Sequence, residues 1–97
     1  MNLPQLQREI HDNAKAHGWW ETPRPVPEIL CLIHAEVSEA LEAYRDGNLL
    51  MLNEEMADIV IRTMDAAEAW GVDLLAEILR KHEKNKRRPY RHGGKLA

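Results

Sequence analysis

Four carboxylates are the residues of this chain best placed to do chemistry: Glu36 with Glu39, and Glu55 with Asp58, each pair three residues apart. On a helix, side chains at i and i+3 share a face, with Cβ atoms roughly 5 to 6 Å apart. Acids held that close repel one another unless a cation lies between them. Two such pairs facing each other across a pair of antiparallel helices make an all-oxygen site. That donor set suits a hard cation that keeps some waters and takes phosphate oxygens as further ligands, so Mg²⁺ is the expected ion, with Mn²⁺ able to substitute. A di-iron bundle pairs helix glutamates with a histidine three residues on, and neither Glu36 nor Glu55 has one. Cys31 and His34 have ligand spacing but lack the remaining ligands of a zinc site, so both read as structural.

Each acidic pair borders an apolar stripe. At about 100° per residue, Ile29, Leu30, Ile33, Val37, Ala40, Leu41 and Tyr44 form one stripe, with Glu36 and Glu39 at its edge and Glu42 further toward solvent. Glu55 and Asp58 lie beside Ile59, Ala66 and Trp70, with Arg62 and Asp65 on the same arc. Glutamates in soluble helices commonly do no more than pair with basic neighbours at helical spacing. Position at the edge of two successive stripes is what sets these four apart.

The elements that must position them are helices. Asn2 caps the first, with Pro4 in its opening turn and Gly18 after its end, giving a helix over about 3–17. Pro23, Pro25 and Pro27 make an ordered loop from Trp19, and Pro27 opens a second helix over about 27–45, stopped at Asp46-Gly47. Asn53 is the expected cap of a third helix reaching Trp70, and Asp73 of a fourth ending near Arg88 before Pro89. Residues 89–97 read as a basic tail. The expected fold is all-α, a four-helix bundle in a single domain over residues 1–97.

Composition bounds the function class. Over 97 residues the net charge is -3, but seven basic residues against Glu83 give +6 in residues 81–97, leaving -9 in residues 1–80. A basic tail on an acidic body serves either nucleic acid or a phosphate-bearing small ligand. The acidic body would repel a phosphate backbone, and no groove-reading motif is present, so nucleic acid is the weaker partner. A regulatory helical module using that tail is the alternative function, and a catalytically inactive, metal-stabilised dimerisation bundle a second. One cysteine forms no internal disulfide, and no apolar run spans a bilayer, so a soluble, cytoplasmic protein without membrane contact is expected. A chain this short buries a modest share of its surface, which favours self-association.

The segment HAEVSEALEAYRDGN, followed by NEEMADIVIRTMDAAEAWGVDL, resembles the Glu-x-x-Glu … Glu-x-x-Asp signature of MazG-like all-α nucleoside triphosphate pyrophosphohydrolases, and the ending KHEKNKRRPYRHGGK is similar to the basic segment of small single-domain members. The resemblance covers the chain from about Trp19 onward. It implies that Glu36, Glu39, Glu55 and Asp58 hold Mg²⁺, and that a nucleoside triphosphate is cleaved to the monophosphate and pyrophosphate for nucleotide-pool control or housecleaning. A homodimer or dimer of dimers is implied too. Of the two glutamates that can handle the water, Glu39 is the first choice and Glu36 the second. Lys81, Asn85 and Arg88 share one face of the fourth helix and form an expected phosphate comb, with Tyr90 and Arg91 able to close over the ligand. Trp20 is either a stacking platform for the base or a plug for the bundle end; Trp70 is expected in the core.

Overall fold

The computed structural model describes residues 1–97, and it is helical with no strand. The helices are α1 (Leu3–Ala16), α2 (Val26–Arg45), α3 (Leu49–Ala69), α4 (Leu74–Lys86) and a four-residue turn, α5 (Arg91–Gly94). Local chemistry explains most boundaries. The Asn2 side chain accepts a hydrogen bond from the Gln5 amide, and the Gln5 side chain accepts one from the Asn2 amide, each at 2.9 Å, which closes a capping box at α1. Asp73 caps α4 through the Ala76 amide.

The third helix starts one turn earlier than its sequence suggests. Asn48, not Asn53, is its cap, accepting from the Met51 amide at 3.0 Å. The cause lies at the end of α2: Gly47 takes φ of 71°, and the Gly47 and Asn48 amides donate back to Tyr44 and Ala43. That Schellman closure leaves Asn48 in a non-helical conformation at the head of the Leu49–Leu52 run, all good helix formers. Gly71 ends α3 with the same pair of bonds, to Glu68 and Ala67. The fourth helix stops at Lys86, one turn short of Pro89.

A three-residue connection makes α2 and α3 antiparallel neighbours, α3 also packs on α1, and α4 meets the rest mainly through α1. The core is thin: Ile29, Ala40 and Ala43 from α2, with Met64, Ala66 and Ala67 from α3. The small alanines let the two helices approach closely, and Met64, 1% exposed, fills the remaining space. The one buried polar side chain, Gln7, donates to Glu68 Oε1 and to the Val72 carbonyl, both at 3.0 Å, and so ties α1 to the end of α3.

Several residues of the apolar stripes lie outside this core. Trp70, expected in the core, is the C-cap residue of α3 and is 40% exposed, at the end of the helix where α3 gives way to the Gly71 turn. Leu30, Val37, Leu41 and Tyr44 of the α2 stripe stay exposed, and α4 buries no residue. Cys31 is exposed rather than packed. A four-helix core is therefore not closed within one chain, since α4 stands beside α1 instead of covering α2. The radius of gyration, 15.8 Å, exceeds the ~13 Å of a compact domain of about 100 residues. No helix is long and apolar enough to cross a membrane.

Candidate metal centre and its cleft

Antiparallel packing of α2 on α3 carries the acids toward each other. Glu36 and Glu39 approach Glu55 so that one carboxylate oxygen from each lies within 4.8 Å of the others. Asp58, one turn further along α3, stands outside this group and is exposed, lining the adjoining cleft together with Glu36. Of the four acids read from the sequence, three are gathered and the fourth borders the same cavity.

The three do not share one environment. Glu36 is half-buried and accepts from Arg62 Nε at 2.7 Å. That guanidinium holds the Glu36 carboxyl below the usual range, against an opposing effect of burial. Glu55 has no such partner. Its Oε2 is buried without a hydrogen bond, and burial first, then the negative neighbours Glu36 and Glu39, pushes its pKa up to about 7. Glu39 is exposed and open to water. A buried carboxylate oxygen with no donor, facing two further carboxylates, is a site short of positive charge. The donor set, all carboxylate oxygen, is of the kind a hard divalent cation takes, and Glu36, Glu39 and Glu55 are the residues that could hold one.

Beside this centre lies a cleft of about 670 Å³ between α1, the Trp19–Arg24 loop, α2 and α3. Its walls are partly apolar, from Leu6, Ile10, Ile29, Leu32 and Ile61, with Trp19 and Trp20 at the loop side. Trp20 is fixed there. Its Nε1 donates to both oxygens of Asp65, at 3.0 and 3.1 Å, and His11 Nδ1 meets Asp65 Oδ1 at 2.7 Å. The His11 and Trp20 rings meet edge to face at 5.3 Å. Asp65 thus joins α1, the loop and α3. Trp19 is more exposed and carries the Arg24 guanidinium 5.4 Å from its ring centre, while Arg24 Nε donates to the Trp19 carbonyl at 2.8 Å.

The basic residues expected to serve the acids are not at this cleft in one chain. Lys81 and Asn85 line a shallow surface depression formed by α4 alone, and neither they nor Arg88, Tyr90 and Arg91 line the acid cleft. Tyr90 is 84% exposed, with the Arg91 guanidinium beside its ring. The reason is the placement of α4, which meets α1 and leaves the α2–α3 face uncovered. Two pairings, Arg62 with Glu36 and His11 with Asp65, are not among those expected from the sequence. The first was detectable, since Arg62 shares the arc of Glu55 and Asp58. The second depends on how α1 crosses α3, which spacing does not encode. No family model, curated protein or solved structure matches the chain.

Proposed function

We propose that this chain is an Mg²⁺-dependent nucleoside triphosphate pyrophosphohydrolase of the MazG-like type, which converts a nucleoside triphosphate and water to the monophosphate and pyrophosphate. The observation that carries the reading is the buried, undonated Glu55 Oε2 facing Glu36 and Glu39, next to a cleft walled by two indoles. Glu36, Glu39 and Glu55 hold the ion, and Asp58 faces the polyphosphate side. When bound, the cation supplies Lewis acidity toward the phosphoryl oxygens and offsets their charge.

The chain's own residues divide the remaining work by environment. Of the three clustered glutamates, Glu36 is tied to Arg62 and Glu55 is partly withdrawn from solvent, which leaves Glu39 as the one most open to water; it accepts the proton of the attacking water. The base lies in the cleft against Trp20, whose ring Asp65 holds against rotation. A fixed aromatic wall loses little entropy on stacking.

Self-association belongs to the same proposal. Leu41 is 56% exposed and Tyr44 64%, on the face of α2 that α4 leaves uncovered, and a second copy of the chain is the partner that would cover them.

Ribo- and deoxynucleoside triphosphates, tested singly with and without Mg²⁺ for pyrophosphate release, check the reaction. At least one should turn over only with the ion, and Glu39→Gln should slow it by about 10²- to 10⁴-fold. A flat response to every nucleotide at micromolar protein refutes the proposal.

A further inference from the structure

The cleft beside the carboxylates is lined by Glu9, Glu36, Asp58 and Asp65 but by only two cations, Arg24 and Arg62. A polyphosphate entering it meets net negative charge, so each cation that remains free to donate matters. Arg24 is largely committed. Its Nε serves the Trp19 carbonyl, its guanidinium carbon sits over the Trp19 ring, and its Nη1 lies 4.0 Å from Glu28. Arg62 is committed at one nitrogen only. Nε donates to Glu36 Oε1 at 2.7 Å, while Nη1 and Nη2 have no protein acceptor, and the side chain remains 37% exposed at the cleft. Glu36 therefore aims the guanidinium and leaves its outer edge open.

We propose that Arg62 is a phosphate-binding residue of this cleft, positioned by Glu36 and offering Nη1 and Nη2 to a phosphate group of the substrate. The inference rests on the pyrophosphohydrolase reading and adds to it a cation from α3 of the same chain. A planar fork whose outer edge, Nη1 with Nη2, is free matches two oxygens of one phosphate, whereas a lysine at this place would offer a single point charge. Because Arg62 touches Glu36, a phosphate on its fork lies beside the carboxylate group that holds the ion.

A phosphate-binding Arg62 leaves a signature that a merely structural Arg62 would not. A guanidinium next to the carboxylates opposes a divalent cation and attracts a polyphosphate, so its removal changes the two affinities in opposite directions. Calorimetric titration at about pH 8 measures Mg²⁺ alone, then inorganic tripolyphosphate in saturating Mg²⁺, with circular dichroism to follow helicity. For Arg62→Gln, Mg²⁺ affinity should rise a few-fold, and tripolyphosphate affinity should fall about tenfold or more, the scale of charge-assisted hydrogen bonds. Arg62→Lys keeps the charge but not the fork; it should bind Mg²⁺ as wild type does and lose tripolyphosphate affinity several-fold, and it decides the matter if the glutamine variant does not fold. Unchanged tripolyphosphate binding in both variants, or a parallel loss of both ligands, overturns the role of Arg62 while the wild-type chain still binds both. If the wild-type chain binds no Mg²⁺, the pyrophosphohydrolase reading itself falls, and the Arg62 role with it.

Discussion

Raising the pH from about 6 to about 8 should strengthen Mg²⁺ binding roughly tenfold, and the group responsible is Glu55. With its pKa pushed up to about 7, some nine in ten Glu55 side chains are protonated at about pH 6 and about one in ten at about pH 8. A carboxyl must lose its proton to ligate, so the proton competes with the ion over this range. Without ion the dependence runs the other way. Glu55 holds its proton more firmly in the folded chain than its ordinary value of 4.5 allows in the unfolded one. Its contribution to stability is complete below that value and is lost as pH rises toward about 7. Glu36, whose pKa is lowered chiefly by the hydrogen bond from Arg62, acts in the opposite window: its contribution is present above 4.5 and is lost as pH falls through its lower folded value. Thermal unfolding tests the linkage. At Mg²⁺ tenfold above its dissociation constant at about pH 8, mass action stabilises the fold by about 1.4 kcal/mol, a rise in Tm of roughly 6–11 °C for a domain of this size. At about pH 6 the same Mg²⁺ roughly equals the weakened constant, and the rise should shrink to about 2–3 °C. In Glu55→Gln the ion-free loss of stability between about pH 5 and 7 should disappear. Equal Mg²⁺ shifts at both pH values, or an ion-free Tm that climbs over that interval because of Glu55, would refute the charge assignment.

Three further outcomes probe the scaffold. Asp65→Ala leaves Trp20 Nε1 and His11 without their acceptor and should cost about 2–3 kcal/mol in urea unfolding, with a change in indole emission from Trp20; an unchanged midpoint contradicts the proposed fixing of the cleft wall. Met64→Ala, at the most buried side chain, should cost about 2–5 kcal/mol by the same measurement, and a loss below about 1 kcal/mol would mean that the core collapses into the space. Light scattering should give at least twice the 11.2 kDa chain mass, and Leu41→Lys, on the exposed α2 face, should reduce it to the monomer; a wild-type monomer at high concentration removes the self-association proposal.

Helix content and most helix ends follow from local chemistry, which is why they are legible along the chain. Asn2, Gly47, Gly71 and Asp73 act on amides and carbonyls within a few residues of themselves, so their effect is written where they stand. Asn53 misled because Asn48 lies one turn nearer the closed end of α2, and a cap forms at the first suitable residue the preceding turn presents. The meeting of Glu36, Glu39 and Glu55 was also largely foreseeable, since i, i+3 spacing on two helices joined by a short turn leaves few ways to pack them. Their different charge states were not. Arg62 reaches Glu36 and bypasses Glu55 because of how the two helices are rotated about their axes, and a fraction of a helical turn separates a paired acid from an orphaned one. The path of α4 is likewise tertiary: its amphipathic pattern announces a helix with a face to bury but not which neighbour receives it. Lys81, Asn85 and Arg88 share a helix face by sequence alone, while their distance from the acid cleft is decided by the contact of α4 with α1.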